Sequence, residues 1–501
     1  MNGRAGTYPL GVSSHGATSG STLARGGLLL ASTIALLVAL WQIGQGPSGH
    51  GDWPLLVSGA CAGWLLVHAL ASYAAFRSVY LLSSFYAAAL LLFHLAAPMV
   101  DAVGWLPGQA MSFPDIVPSW LELSAWYVLL ALASFGIGQA WGFGRGGVRN
   151  ARRAMPARVQ AFLFRDGIGL LLVSCGLLAW VFATVGNLLA FSRAELFRGV
   201  GDTRGLGVFL MVFPSALVLL VFGARAGVVK IAVGALALAG FALIMLSGYR
   251  TSAIYPLIVG AILWRKSGRR IPLALAAGGL VMLVLAISFV GVLRQAGPYA
   301  AMDRSAVTEA WRQTTPKDTV RLGQTGALLA HVLRLVPEQD GYRYGMTYLE
   351  SLRQSLPNMS SQIADSPRQA VKRGTFTRAT FERLAPSDWL TYRIAPWAFD
   401  IGQGVGFTTI GEAYLNFGTP GVVAFFLVLG YVLARLDRID VATHPYAFLF
   451  CAAFSWHLIR TVRDDFSNFT KPALFTVLIL AAWRFACWLA GWRVAVPGKR
   501  T

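Results

Sequence analysis

Long apolar runs alternate with short polar segments along most of the 501-residue chain. A helix needs about 20 mostly apolar residues to cross a hydrocarbon core of about 30 Å. Because a bilayer offers no water to unpaired backbone groups, runs near that length predict membrane-spanning helices. Twelve segments are candidates, the eighth of them short and interrupted by Pro256: about 26–44, 54–75, 79–100, 120–142, 167–190, 207–224, 228–247, 251–264, 271–293, 414–434, 445–460 and 472–492. The pattern predicts an all-α polytopic integral membrane protein with about twelve transmembrane helices.

The polar segments divide the chain into regions of different character. We interpret them as a Gly/Ser/Thr-rich, disordered cytoplasmic N-terminus (1–25), spans one to nine (26–293), a large loop (294–411), spans ten to twelve (412–492) and a cytoplasmic tail (493–501). A connection as long as this loop is normally functional or disordered. Its helical patches and many aromatic residues favour a partly helical, folded element that covers a substrate.

The composition excludes an ordinary water-soluble enzyme. Hydrophobic residues make up 56% of the chain and charged residues only 13%, whereas charged residues are about 25% of a typical soluble protein. The chain carries 42 Lys+Arg against 22 Asp+Glu, a net charge of +20. A nucleic-acid-binding protein would place such charge on a solvated face. A chain that consists mostly of apolar runs does not fit that class, so the positive charge needs another explanation. The four cysteines lie separately in apolar runs, so neither a disulfide framework nor a zinc site is indicated.

The basic residues of the short loops predict the orientation, because Lys and Arg accumulate in cytoplasmic loops. Clusters at 145–165 and 265–270 fall on the same side as the basic tail, 493–501. The segments around Asp52 and at 101–122 lie on the other side and contain no Lys or Arg. Both termini are therefore expected to be cytoplasmic, and the large loop is expected outside.

A second population of arginines falls on the outer side, where the orientation bias predicts few. These residues lie in outer loops or at outer helix ends: Arg193, Arg198, Arg204, Arg250, Arg294, Arg460 and Arg463. Any one of them can simply extend to the lipid headgroups. Several at one depth on separate helices favour a shared anionic ligand, since planar guanidinium groups match the oxygens of a pyrophosphate.

Two polar motifs carry further candidates. The segment Gly248–Ser252 is either a simple hairpin or a turn that presents Arg250 beside two hydroxyl groups at the outer boundary. A Gly/Pro-rich segment at the start of span ten contains Glu412, Tyr414 and Asn416. Glu412 is a candidate general base or ion-pair partner, or a carboxylate that favours the helix dipole. Tyr414 is either a substrate contact or an interfacial anchor.

Other kinds of site have weaker signals. Asp464 and Asp465 follow the last outer arginines and form either a salt-bridge cluster or part of a metal site, but two carboxylates alone are weak evidence for a metal and we expect none. His331 in the loop is a candidate base, although a lone histidine is more often structural. The chain has no P-loop, GxSxG or HExxH motif and no nucleotide-sugar signature. A transferase on the outer face would therefore take a lipid-activated donor, without a cofactor.

Three short motifs in the second half of the chain form a set. Gly411–Gly418 has the sequence Gly-Glu-Ala-Tyr-Leu-Asn-Phe-Gly and leads into an apolar span. Gly248–Ser252 and Tyr344–Leu349, the latter followed by Leu356-Pro357, lie upstream. Together these segments resemble motifs of the oligosaccharide repeat-unit polymerases, the Wzy-type O-antigen polymerases. The likeness runs from about the fifth span to the last, and Asn358 stands where that family often has a basic residue.

The resemblance implies a GT-C-like, inverting glycosyltransferase in the bacterial inner membrane. It would join undecaprenyl-pyrophosphate-linked oligosaccharides on the periplasmic face without a metal, producing O-antigen, capsule or exopolysaccharide. The implied partners are membrane lipids, a chain-length co-polymerase and a flippase, with no nucleic acid. We accordingly assign candidate catalytic roles to Glu412, Arg250 and Arg460, and candidate pyrophosphate or sugar contacts to Arg193, Arg198, Arg294, Arg463, Tyr344, Tyr414 and Asn416.

Three alternative functions remain open at the level of sequence. An O-antigen ligase differs from a polymerase in its acceptor. A flippase or other secondary transporter should carry charges within its spans and show an internal repeat, whereas this chain has few such charges, chiefly Arg484 and Lys230. A structural scaffold in a polysaccharide export complex would not account for converging outer arginines.

Overall fold

The computed structural model is helical wherever it has regular secondary structure. It describes residues 15–47, 51–105, 117–143, 155–185, 204–225, 227–246, 249–269, 271–295, 303–315, 321–356, 371, 374, 377–400, 404–440 and 444–491. Within these ranges no β-strand occurs, which agrees with the predicted all-α class.

Three groups of helices follow one another along the described chain. The first group is α1 His15–Gln45, α2 Trp53–Phe76, α3 Leu82–Ala102, α4 Pro118–Gly142, α5 Ala157–Val185, α6 Arg204–Gly223, α7 Gly227–Leu246, α8 Arg250–Lys266 and α9 Leu273–Gln295. The second group, in the large loop, is α10 Arg304–Gln313, α11 Thr325–Leu335, α12 Met346–Ser355, α13 Arg378–Glu382, α14 Pro386–Ile394 and α15 Pro396–Asp400. The third is α16 Thr409–Arg438, α17 Pro445–Arg460 and α18 Ser467–Leu489, with a 3-10 turn Thr461–Arg463 between the last two.

Each of the twelve apolar segments overlaps a helix, although residues 186–190 of the fifth and 247 of the seventh lie outside the described part of the chain. The number of spans is not confirmed as twelve. Among the described residues, nine helices are long and apolar enough to cross a membrane. The others are α8 with 17 residues, α17 with 16, and α9, whose qualifying apolar stretch is only Val281–Leu293. Most residues of α17 are buried by neighbouring helices. A helix enclosed in this way is not required to match the bilayer thickness with its own length.

The N-terminal boundary also differs from the expected one. Helix α1 begins at His15, so part of the segment 1–25, expected to be disordered, is helical. Residues 1–14 lie outside the described part of the chain. The apolar run that suggested a start near residue 26 therefore marks only the apolar portion of a longer helix.

Helix α4 forms the centre of the bundle and packs closely against α16. Most of its length is buried, including Val128, Leu130 and Phe135. A Cβ atom added to Gly138 of α4 would lie 1.9 Å from the carbonyl oxygen of Leu427 on α16, and one added to Gly430 would lie 2.0 Å from that of Phe135. Small residues on both helices thus allow the backbones to approach to contact distance, as is common between membrane helices.

The large loop folds onto one end of the bundle, which we call the loop end. Helix α11 is buried along its length and packs on α3, α4 and α16. A Cβ atom at Gly326 would lie 2.4 Å from the carbonyl oxygen of His94 on α3. This part of the loop is therefore inserted among the long helices, and α12 packs nearby on α16 and α18.

A buried carboxylate holds the opposite end of the bundle. Asp437, near the end of α16, accepts hydrogen bonds from the backbone N–H groups of Leu82 (2.9 Å) and Ser83 (3.0 Å) at the start of α3. Lys266, at the end of α8, lies 3.9 Å from the same carboxylate. The first N–H groups of a helix need such acceptors. Asp437 therefore fixes α3 and α8 against α16, so that their loop ends converge.

Candidate active site

Helix α16 is interrupted close to its loop end. Its first residue follows Thr408, whose side chain accepts a hydrogen bond from the N–H of Ile410 at 3.3 Å. Gly418 has φ 64° and ψ −153°, values outside the helical region. The ring of Tyr342 lies within about 3.0 to 3.3 Å of where a Cβ atom would stand at this position, so glycine is required by both conformation and space. The break separates a short first segment from a long span that begins near Pro420.

Glu412 lies in that short first segment and is almost completely buried, with 1% of its surface exposed. One carboxylate oxygen, Oε1, accepts a hydrogen bond from the hydroxyl of Thr347 at 2.8 Å. The other, Oε2, accepts one from the backbone N–H of Phe466 at 2.7 Å. Within the described residues Glu412 forms no ion pair. Its carboxylate thus joins α12 of the loop to the start of α18.

Asn416, one helical turn after Glu412, completes the same network. Its Nδ2 donates to the hydroxyl of Thr347 at 2.6 Å and to the carbonyl of Glu412 at 2.8 Å. Its Oδ1 accepts from the N–H of Gly345 at 2.9 Å. The hydroxyl of Thr347 therefore accepts from Asn416 and donates to Glu412. A chain of buried hydrogen bonds thus connects the Tyr344–Leu349 motif to the Gly411–Gly418 motif.

Backbone hydrogen bonds also join the large loop to the first segment of α16. The N–H of Arg343 donates to the carbonyl of Leu415 at 2.9 Å, and that of Tyr344 donates to the carbonyl of Asn416 at 3.0 Å. The Gly418 break comes directly after these carbonyls, which lie near the end of the first segment of α16. Tyr344 has a positive φ of 46°, which costs energy in a residue other than glycine. The two sequence motifs, 344–349 and 411–418, are thus one structural unit.

Four tyrosines form a row across the loop end. Tyr127 of α4 and Tyr414 of α16 have ring centroids 5.2 Å apart, Tyr414 and Tyr342 are 6.1 Å apart, and Tyr342 and Tyr344 are 6.3 Å apart. The row passes from the buried Tyr414 to Tyr344, which is 76% exposed. The hydroxyl of Tyr127 is 2.7 Å from that of Thr419, just after the break in α16. Aromatic faces of this kind can stack on the apolar face of a sugar ring.

The structure brings two of the predicted arginines together between α17 and α18. Nε of Arg460 donates to Oδ2 of Asp464 at 2.9 Å, and each of these side chains is 23% exposed. The carbonyl of Arg463 accepts from the N–H of Phe407 at 3.3 Å, while its guanidinium has no hydrogen bond to another described residue. Burial raises the pKa of Asp464, although Arg460 beside it favours the charged form. Tyr255 of α8 lies within electrostatic reach of both arginines.

Of the remaining predicted arginines, the structure describes the side chain of Arg250 but not those of Arg193, Arg198 and Arg294. Nη1 of Arg250, the first residue of α8, donates to the carbonyl of Ile287 on α9 at 2.8 Å. Helix α8 packs beside α17, so Arg250 and Arg460 belong to neighbouring helices. Arg193 and Arg198 lie outside the described residues, as does the side chain of Arg294.

The adjacent carboxylates 464 and 465 have separate partners. Asp465 is fully buried, and its Oδ2 accepts from the N–H (3.2 Å) and the hydroxyl of Ser387 at the start of α14. Its Oδ1 accepts from the N–H (3.2 Å) and the hydroxyl of Ser467 at the start of α18. The described residues contain no group of three or more His, Cys, Asp or Glu side chains arranged to hold a metal ion. His331, the candidate base, is buried within α11.

Sequence reasoning missed a buried arginine in the loop. Arg343 is 6% exposed, its Nη1 donates to the carbonyl of Glu382, and its guanidinium lies 5.8 Å and 5.7 Å from the ring centroids of Phe381 and Trp389. Burial lowers the pKa of Arg343 to about 10. The side chain fastens α13 and α14 to the junction with α16. The sequence feature that could have identified Arg343 is its position directly before the Tyr344–Leu349 motif.

Two further polar residues of the site were also missed. Thr347 lies within the recognised motif but carries no charge to attract notice. His94 is a buried polar residue inside an apolar span, a type of residue that is often functional in membrane proteins. Its Nδ1 is 2.9 Å from the carbonyl of Leu90, so Nδ1 carries the proton, and Nε2 accepts from the hydroxyl of Thr408 at 2.7 Å. His94 thereby supports the start of α16.

An apolar cavity of about 650 Å³ adjoins the site between α16, α17 and α18. At the loop end it is lined by Tyr348 and Phe466, whose rings are 5.5 Å apart and perpendicular. At the opposite end it reaches Leu436. The N–H of Phe466 is one of the two donors to Glu412, so the cavity begins directly beside the hydrogen-bond network.

Comparisons with curated proteins and with solved structures give no match. A protein-family model described as O-antigen polysaccharide polymerase Wzy matches residues 54–487, nearly the whole chain. The match includes the Glu412 segment, the Tyr344 segment and the two arginines at and after the end of α17. It confirms the family that the motifs resemble and agrees with a multi-pass membrane protein in polysaccharide biosynthesis. The chain therefore belongs to the O-antigen polysaccharide polymerase Wzy family.

Proposed function

We propose that this polymerase joins lipid-pyrophosphate-linked oligosaccharide repeat units on the periplasmic face of the inner membrane, by inverting glycosyl transfer without a metal. The growing chain would pass from its carrier to a sugar hydroxyl of the next lipid-linked unit. The observation that carries the proposal is the assembly, at one end of the bundle, of arginines, tyrosines and a folded loop next to a membrane-embedded apolar cavity. Both termini would then be cytoplasmic.

The arginines would bind the donor pyrophosphate. Arg460 and Arg463 flank the junction of α17 and α18, and the guanidinium of Arg463 is not hydrogen-bonded to another described residue. Arg250 on the adjacent helix, together with Arg193, Arg198 and Arg294, would add further positive charge around the pyrophosphate. Preorganised donors stabilise charge that develops on a leaving group. Neutralising the departing pyrophosphate lowers the barrier without a strong base.

The tyrosine row would bind the sugars. Tyr344 is largely exposed at its end, whereas Tyr414 is buried behind it, so Tyr344 is the tyrosine best placed for direct contact. Asn416 and Glu412 lie underneath and are occupied by internal hydrogen bonds. We therefore propose that Glu412 acts chiefly as a positioning residue, which orients the acceptor by holding α12 and α18 in place. A flippase would deliver the units, and a co-polymerase would set the chain length.

Deletion of the gene in its native host, followed by gel analysis of surface polysaccharide, tests the proposed function. Loss of a polymerase should leave single-repeat products in place of a ladder of long chains. If long lipid-linked chains accumulate instead, while the surface polymer disappears, the activity is that of a ligase or an exporter and the proposal is wrong.

Complementation of that deletion tests the pyrophosphate role. We expect Arg460→Ala and Arg463→Ala each to reduce polymer by about a hundredfold at normal protein level, because each removes a charge-stabilising donor. Arg435→Ala is the matched control, since Arg435 is an exposed arginine near the other end of α16. Long ladders from both site variants would contradict the assignment of these arginines.

A further inference from the structure

Two regular stripes of side chains form the walls of the apolar cavity. On α16 the wall includes Ala424, Val428 and Val432, which recur at intervals of four residues and are all exposed. Residues at this spacing share one face of a helix. On α17 the facing wall is built in the same way from aromatic and aliphatic side chains, among them Phe454 and Leu458. The cavity is therefore an elongated groove parallel to the long helices.

The groove is longer than one leaflet of a bilayer. From Pro420 to Leu436 it follows α16 for about 24 Å. Half of a typical hydrocarbon core is only about 15 Å. A phospholipid acyl chain entering from the loop end would therefore fill only the upper part of the groove. A single occupant that fills the groove is therefore an apolar chain longer than one leaflet, which crosses the membrane midplane.

The loop end of the groove leads to the polar site. Phe466 lines the groove, and its N–H donates to Glu412. Arg463, Asp464 and Asp465 directly precede it in the chain and lie at the same end of the bundle. A headgroup attached to a chain in the groove would thus emerge beside the Arg460–Asp465 segment. An apolar groove that opens beside basic residues matches an amphiphile with an anionic head and a very long tail.

We propose that the groove between α16, α17 and α18 is the binding site for the polyisoprenoid tail of the lipid-pyrophosphate substrate. The proposal rests on the proposed function for the identity of the headgroup. It adds where the tail lies and why a long tail is preferred to a short one. The deep end of the groove, at Val432 and Leu436, would contact only a tail that passes the midplane.

Donors with different tails test the proposal in purified protein. The same oligosaccharide pyrophosphate is compared on an undecaprenyl and on a farnesyl tail. We expect the KM of the wild type to be about tenfold lower for the undecaprenyl donor, and Val432→Trp to remove most of that difference by filling the deep end. The control is Ala62→Trp, at an exposed alanine of α2 away from the groove. This variant should keep the tenfold difference in KM between the two donors. If Val432→Trp keeps the full preference for the long tail, the groove is not the tail site.

A second measurement separates failure of the groove from failure of the function. Undecaprenyl pyrophosphate with a diazirine at the far end of its tail is photolysed with the full-length protein, and no turnover is required. Labelling of the α16 and α17 segments around Val432 and Phe450 supports the groove, even if no polymer forms in the kinetic assay. Labelling elsewhere, or complete loss of labelling in excess phospholipid, overturns the groove even if the protein is an active polymerase.

Discussion

At the scale of single residues, Thr347 is the centre of the site. Its hydroxyl accepts from Asn416 and donates to Glu412, so each of the three side chains depends on the other two. A buried polar group that loses its partner costs about 1 to 3 kcal/mol. A single methyl group in place of this hydroxyl would remove one hydrogen bond from each neighbour without removing any candidate catalytic group.

We expect Thr347→Val to reduce polymer formation about as strongly as Glu412→Gln, with Thr347→Ser close to wild type. If Glu412 positions the loop, the loss should be similar at every pH, because the missing interaction is geometric. If Glu412 is instead a general base, Glu412→Gln alone should be inactive, and the pH–rate profile of Thr347→Val should keep its acidic limb, where protonation of the base abolishes activity. Chain length on gels and pH–rate profiles of the purified variants distinguish the two cases.

At the scale of elements, the interruption of α16 decides how the site is built. The break at Gly418 ends the first segment soon after Asn416, so the last carbonyls of that segment are free to bind the loop at Arg343 and Tyr344. A continuous helix would have satisfied those carbonyls internally. Interrupted membrane helices are tolerated where neighbouring protein satisfies the exposed backbone groups.

Gly418→Ala should therefore disrupt the site. The positive φ and the approach of Tyr342 both oppose a Cβ atom, and a strained residue of this kind costs about 1 to 3 kcal/mol. We expect a lower melting temperature in detergent and a loss of long polymer. Gly260→Ala in α8 is the control, because nothing lies within 4 Å of its added Cβ. Equal stability of the two variants would show that the break is not a constraint.

At the scale of the whole molecule, the large loop and the membrane helices form one body. Helix α11 is buried among α3, α4 and α16. Asp465 joins α14 to the start of α18 through both serines that it contacts. The site is therefore assembled by the docking of the loop, and no single span contains it.

We expect Asp465→Ala to release α14 while the bundle stays folded. Five donors lose an acceptor in this variant: the N–H and hydroxyl groups of Ser387 and Ser467, and Nδ2 of Asn468. Hydrogen bonds to a charged group contribute about 1.5 to 3 kcal/mol each. Hydrogen–deuterium exchange should rise in residues 386–394 and stay unchanged in α4. Asp303→Ala, which removes an exposed carboxylate elsewhere in the loop, should leave exchange at α14 unaltered. Unchanged protection of α14 in Asp465→Ala would exclude this anchoring role.

Local pattern was enough to locate the helices. The apolar run of span four predicts α4 almost to the residue, since a helix in a bilayer must be apolar over its own length. The number of spans was harder to predict, because α8 and α17 are short. Neighbouring helices bury much of their surface, so their length does not have to match the thickness of the bilayer. The start of α1 was misplaced because the chain before residue 22 forms helix without being strongly apolar.

By itself the sequence determined the all-helical membrane class, the family and the segments that carry the site, because hydropathy and short motifs are properties of neighbouring residues. Only the tertiary structure decided which segments meet. Thr347 and Glu412 are 65 positions apart, and nothing local predicts that they share a hydrogen bond. Asp465 likewise needed the fold to show its hydrogen bond with the N–H of Ser387, 78 positions away. Contacts between distant segments depend on packing geometry, which no local pattern of residues contains.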